Sequence, residues 1–408
     1  MSRVRDILGP GILFASAAIG VSHLVQSTRA GALYGLGMVW AVAAANVAKY
    51  PFFEFGSRYA SATGTSLIDG YRSMGRGVAW AYLLLTVSTC FIVCAAVGLV
   101  TAGFFAHVLG IGSPVLVATV LLAGSAAVLA AGAFQALDGL TKFISVVLLI
   151  STLAAFFAAW WAVPFSDIPP APAAAWSPWS GADLAFVVAL MGWMPTAVDL
   201  ASWNSLWTLE RARTTGYTPT LRETLLEFNA GYLVSALLAF AFLAMGALLL
   251  YAPGRELPSA PAAFAGGLVD LYASVLGNWS RWIIAAAAAS AMLGTTLAVL
   301  DGYSRSMAHS VATLRGKAAS TSHVRLALVG TAIASLVLIT AFPDDLRVLV
   351  DFATTVSFVI APVVGGANLV LVLRPSFPRE ARPPMWLLVC AFLGLGFLAV
   401  FAVLRLIE

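Results

Sequence analysis

Apolar runs of about 18 or more residues recur along the whole chain, separated by short stretches rich in Arg, Gly, Pro and Asp. A helix of that length crosses a hydrocarbon core of about 30 Å. Eleven spans are predicted, at roughly 9–31, 36–57, 78–108, 114–132, 140–163, 184–207, 226–251, 283–310, 325–342, 348–373 and 384–405. Two of them are interrupted. Span 1 reads GPGILFASAAIGVSHLVQSTRAGALYG from Gly9 to Gly35, and span 6 reads FVVALMGWMPTAVDLASWNSLW from Phe186 to Trp207. Each is apolar at both ends and polar or helix-breaking in the middle. Backbone that leaves the helix at membrane depth is tolerated only where it lines a cavity or meets a ligand. Broken helices at corresponding positions of two halves point to the substrate site of a secondary transporter.

Spans 1–5 and spans 6–10 have similar lengths, and each set opens on a broken helix. Five is odd, so the second set runs in the opposite sense to the first. The expected fold is all-α and membrane-embedded: an inverted repeat of five plus five helices with span 11 added. The first repeat covers about 9–163, the second about 184–373 and the extra helix about 384–405. The longest connection, SDIPPAPAAAWSPWSGAD from Ser166 to Asp183, reads as an extended external tether, with Trp176 and Trp179 suited to the interface. The other loops leave no room for a separate soluble domain, so residues 1–408 are expected to form one transmembrane domain.

Composition agrees with the pattern: 61% of residues are hydrophobic, 10% are charged and the mean hydropathy is +0.94. A soluble domain carries about 25% charged residues. The net charge of +4 is spread over loops without a basic patch, which argues against a nucleic-acid partner. Its distribution reports orientation instead. Arg3 and Arg5, then Arg58, Arg72 and Arg76, then Arg211, Arg213 and Arg222, then Arg315, Lys317 and Arg325, then Arg374, Arg379 and Arg382 fall in alternate loops. By the positive-inside rule the N-terminus is cytoplasmic and, with an odd number of spans, the C-terminus is outside. The compact loops suggest a bacterial inner membrane. Cys90, Cys94 and Cys390 all lie within spans and read as packing residues. There is no HExxH, no GxSxG and no paired carboxylate within a span, so neither an enzyme nor a cofactor is expected.

Ionisable side chains at membrane depth cost about 2.5–3.5 kcal/mol on insertion scales, so each is a functional candidate. Here they are His23, Lys49, Glu54, Asp138, Lys142, Asp199, Glu227, Asp301 and Asp351. Asp138 and Lys142 are spaced as an i,i+4 pair. Lys49 and Glu54 do not share a helix face and are expected to pair with other helices. Asp301 suits packing or gating. Glu227 and Asp351 sit near span ends within reach of water. His23 and Asp199 stand apart, because His23 follows the break of span 1 and Asp199 follows Pro195 in span 6. Proline removes a backbone donor and frees carbonyls in the preceding turn. The substrate site is therefore expected to use Gly20, Ser22, His23, Gln26, Met191, Met194, Thr196 and Asp199. His23, with an ordinary pKa near 6.5, and Asp199 are candidates to carry a coupled proton. A plainer role for Asp199 is capping the second half-helix of span 6. The half-helix starting near Ser22 turns a positive dipole end to the midplane, which favours anionic groups.

At these residues the chain resembles the Nramp family of proton-coupled divalent-metal transporters, which have the LeuT fold. GPG (Gly9 to Gly11) and AGALYG (Ala30 to Gly35) bracket a span 1 of the family's length, and span 2 carries WAVAAANVAK…GSRYASATGTSL. Span 6 keeps Met194–Pro195, and span 8 reads AAAAASAMLGTTLAVLDGYSRSM, similar to the family's helix rich in small and hydroxyl residues. The resemblance implies a LeuT-like fold and a divalent metal cation as substrate, with Met194, His23 and Asp199 as its ligands here. The departures fall on the site. The family's Asp-Pro-Gly-Asn aligns with Gly20, Val21, Ser22 and His23, so its ligand Asp is a glycine and its Asn a histidine. Its Met-Pro-His becomes Met194, Pro195 and Thr196, and a second family histidine aligns with Ala201. The acidic residues it carries in span 3 are missing from CFIVCAAVGLVTAGFF, Cys90 to Phe105. A divalent ion wants more negative charge than Asp199 alone supplies. Two rival readings follow: a small anion or zwitterion (carboxylate, amino acid or inorganic anion) held at the half-helix N-terminus of span 1, or a membrane sensor that no longer transports.

Overall fold

A computed structural model describes residues 10–132, 134–163, 177–179, 181–251, 254–255, 257–343 and 345–408, with the side chains of Pro10, Ile12 and 134–145 left out. Among the described residues every regular element is helical. The first predicted span is split into α1 (Pro10–Ala18) and α2 (Thr28–Tyr34), joined through a wide π turn at Ser22–Ser27. Then follow α3 (Val39–Thr63), the short α4 (Leu67–Met74), α5 (Arg76–Leu109), α6 (Pro114–Ala130) and α7 (Phe134–Ala162). The sixth span is split into α8 (Gly181–Gly192) and α9 (Leu200–Thr215). The remainder is α10 (Leu221–Gly246) with a π turn at Ala247–Tyr251, α11 (Pro261–Leu276), α12 (Arg281–Arg315), α13 (Thr321–Ala341), α14 (Leu346–Leu373) and α15 (Met385–Ile407).

Seven of these helices are long and apolar enough to cross a membrane on their own. With the two broken passes and the helices α6 and α7, they make the eleven predicted spans of an integral membrane protein. Two elements were not expected from hydrophobicity. α4 has 8 residues and α11 has 16, both too short to span. Local chemistry explains α4. Gly64 ends α3 in the left-handed conformation, φ 66°, and Ser66 with Asp69 then forms a reciprocal capping box that starts the next helix. The tether from Ser166 to Asp183 lies mostly outside the described residues, but Trp179 packs on Trp40 and Phe401.

Both halves of the first span lie against α10, and glycines make this possible. A Cβ on Gly31 would stand 1.9 Å from the Leu243 carbonyl oxygen, and one on Gly246 would stand 2.3 Å from that of Thr28. At the other end the Gly11 and Gly231 backbones touch in the same way. Such contacts replace the hydrophobic effect, which drives little association between helices in lipid. The Gly11 N–H also donates to Glu227 Oε1 at 2.8 Å, so Glu227 caps the start of α1 from a neighbouring helix.

Several charges on the N-terminal side of the bundle are paired with neighbouring side chains. Glu54 takes a bidentate bond from Arg58, four residues on along α3, rather than from another helix as its spacing from Lys49 had suggested. Asp301 pairs with Arg305 and accepts from Trp207 Nε1, tying α12 to α9. Asp69 accepts from His309. The side chains of Asp138 and Lys142 lie outside the described residues.

Candidate functional site

The two breaks face each other across a small cavity of about 30 Å³. Its walls come from span 1 (Ala17, Val21, Ser22), α5 (Val93, Val97), the break of span 6 (Trp193, Thr196, Ala197), the start of α9 (Leu200, Trp203) and α12 (Thr295, Val299, Tyr303). The surface is apolar and aromatic, relieved by the hydroxyls of Ser22, Thr196, Thr295 and Tyr303. Toward the N-terminal side, Trp203 stands edge-on to Tyr303 at 4.6 Å between centroids, and Tyr82 bonds Ser202. Gly302 leaves room for Trp203, since a Cβ there would fall 2.4 Å from the indole.

On the opposite side a polar clamp joins α2 to α14. Arg29 holds both Asp351 oxygens, at 2.7 and 2.9 Å. Gln26 donates to Asp351 at 2.9 Å and accepts from Arg29 at 2.9 Å. The Arg29 guanidinium also sits 5.3 Å from the centre of the Phe186 ring, and Tyr34 donates to Asp183 on α8. Gln26 thus belongs to the clamp and is absent from the cavity wall. Nothing in the sequence pattern singled out Arg29, although an arginine inside an apolar span was itself a sufficient signal.

The predicted site residues divide into two groups. Ser22 and Thr196 line the cavity. Gly20 abuts it from below: a Cβ there would lie 2.7 Å from Thr295 Oγ1, so Thr295 fills the space that a side chain at this position would need. Thr295 is itself held by bonds to the Ser16 and Ala291 carbonyls. His23 turns the other way. Its ring bonds Ser22 Oγ at 2.7 Å through Nδ1 and the Ser235 carbonyl at 2.8 Å through Nε2, fixing the break of span 1 to α10. Met191 and Met194 are fully buried outside the cavity wall. The expected convergence of His23, Met194 and Asp199 on one ligand is therefore not found. A single imidazole cannot serve the α10 backbone and a midplane ligand at once.

Asp199 precedes α9 without capping it through its side chain. Its Oδ1 is buried with no hydrogen-bond partner among the described residues, and Trp203 Nε1 is in the same condition. Tyr303 stands beside Asp199. Buried polar atoms are normally paired, so the orphaned Trp203 Nε1 and Tyr303 hydroxyl in the cavity wall mark a place where a ligand or water completes the set, whereas Asp199 is not part of that wall. The carbonyls freed by Pro195 are real as well, and they already have a partner. Lys49 of α3, fully buried, donates to the oxygens of Met191, Gly192 and Thr196. Among the described residues no group of three His, Cys, Asp or Glu is arranged to hold a metal ion.

Two broken helices, five passes apart and facing one cavity, define the LeuT class of membrane fold. Comparison with solved structures agrees. The chain resembles the manganese transporter of Eremococcus coleocola, solved with an aromatic bis-isothiourea substituted compound. The TM-score is 0.75 at 13% identity, over 97% of this chain and 85% of that one. It also resembles MhsT in complex with L-phenylalanine, with a TM-score of 0.62 at 13% identity over 97% of both chains. The likeness to Nramp proteins thus holds for the fold. No family model matches the sequence. The chain is 37% identical over 403 residues to the uncharacterized protein PM0681 of Pasteurella multocida, covering 98% of this chain and 92% of that protein, and belongs to the same family.

Proposed function

We propose that this chain is a secondary transporter, a single domain over residues 1–408, that moves a small organic anion or zwitterion by alternating access. The observation that carries this reading is the cavity between the breaks. Its place between the two breaks and its apolar aromatic wall with a few hydroxyls are those of a site for a small organic molecule. The start of the half-helix at Ser22 offers a positive dipole end to an acidic group. The unpartnered Trp203 Nε1 and Tyr303 hydroxyl in its wall are suited to the remaining polar contacts.

A metal cation, the substrate that the Nramp resemblance implied, fits the residues less well. His23 is committed to Ser22 and Ser235, no carboxylate lies in the cavity wall among the described residues, and Asp199 has the Lys49 side chain within its electrostatic reach. The similarity in fold to a manganese transporter keeps metal as the second reading. Proton coupling through Asp199, an inner-membrane location and a cytoplasmic N-terminus belong to the same proposal, the last on the arginine pattern.

Melting temperature in detergent, measured against a panel of amino acids, small carboxylates and manganese chloride, tests the ligand class. Stabilisation follows RT ln(1 + [L]/Kd), so a ligand at about 100 times its Kd adds about 2.7 kcal/mol. The expected result is a rise with an organic member of the panel that is lost in Ala197→Trp, which fills the cavity. A rise with manganese alone, lost in the same variant, would reverse the order of the two readings.

A further inference from the structure

The Lys49 contacts have the form of an ion site. Three backbone oxygens, those of Met191 and Gly192 at the end of α8 and of Thr196 in the break, converge on its Nζ at 2.5, 2.7 and 3.1 Å. Three acceptors match the three N–H groups of an ammonium, whereas a neutral amine has two. The last carbonyls of α8 carry the negative end of its dipole, which favours a cation. Asp199, 2% exposed and with an unpartnered oxygen, supplies the nearby countercharge. Unwound carbonyls at a half-helix end are the usual means by which broken-helix transporters hold a small cation from solution. Here the charge arrives on a side chain of α3.

We propose that the Met191, Gly192 and Thr196 carbonyls form a monovalent-cation site, with Asp199 as countercharge, and that the Lys49 amino group is its tethered occupant. The break of span 6 then keeps its geometry without sodium or potassium. Removing the side chain vacates a site that a free ion can enter. This inference concerns ion dependence alone and stands whatever solute the cavity takes.

The test compares wild type, Lys49→Ala and Lys49→Met by melting temperature in sodium chloride, potassium chloride and N-methyl-D-glucamine chloride at equal ionic strength. Wild type is expected to melt at one temperature in all three. Lys49→Ala is expected to melt several degrees higher in sodium or potassium than in the organic cation, with the gain growing with concentration as for any ligand of the native state. Lys49→Met fills the space without charge, so it is expected to be less stable than wild type and indifferent to the salt. The proposal is overturned by a Lys49→Ala protein with no preference among the cations. It is equally overturned if Lys49→Ala cannot be recovered folded in any of the salts, or if Lys49→Met is as stable as wild type.

Discussion

Gly20 and Thr295 show how a single position changes what a site can hold. Gly20 stands where the Nramp proteins have a ligand aspartate, but the space beside it belongs to Thr295. A carboxylate restored at position 20 alone meets the Thr295 side chain and disturbs its bonds to the Ser16 and Ala291 carbonyls. Gly20→Asp is therefore expected to destabilise the protein by about 1–3 kcal/mol, the usual cost of overpacking, and to bind no manganese. Gly20→Asp with Thr295→Gly is expected to recover stability, as melting temperature would show. Calorimetric manganese binding by the single variant, with unchanged stability, would mean that the space is not closed. His23 teaches the complementary lesson. Its placement just after a break looked like a ligand position, yet its partner is a backbone carbonyl 212 residues away that no local pattern reveals.

At the scale of elements, α2 and α14 are joined on one side of the cavity by the Arg29–Asp351 pair, buffered by Gln26. α9 and α12 meet on the other side through Trp203 and Tyr303. Alternating access requires one of these closures to open while the other holds. Arg29→Lys keeps the charge but loses one of the two bonds to Asp351. A hydrogen bond to a charged group contributes about 1.5–3 kcal/mol, and about 1.4 kcal/mol shifts a two-state population tenfold. In a background with the native cysteines replaced, a cysteine at Thr196 is thus expected to react with a membrane-impermeant maleimide added to the α14 Asp351 side at least about ten times faster in Arg29→Lys. An unchanged rate would show that the clamp does not control access. The two breaks themselves were legible, because Gly20 and Pro195 interrupt otherwise apolar runs. The closures were less so. Asp351 was visible only as a carboxylate near a span end, and Arg29 follows the polar stretch Gln26, Ser27 and Thr28, where it reads as part of the break rather than as a closure.

For the whole molecule, hydrophobic periodicity was enough to read the passes and their inverted halves, since lipid leaves helices as the only way to satisfy the backbone. It did not disclose α4 and α11, which are too short to register as spans. Nor did it disclose that Lys49, on α3, meets the carbonyls freed at Pro195 on the sixth span, because side chain to backbone contacts over such separations leave no periodic trace. The substrate class rests on the lining of the cavity between the breaks. It is tested most directly by uptake into proteoliposomes of the purified protein, offered manganese together with a mixture of amino acids and small carboxylates. Internal contents are read by mass spectrometry, with Ala197→Trp as the blocked control. The account predicts that at least one organic solute enters and is excluded in the control, while manganese enters no faster than into empty liposomes. Manganese influx that the control abolishes, with no organic solute taken up, would contradict it.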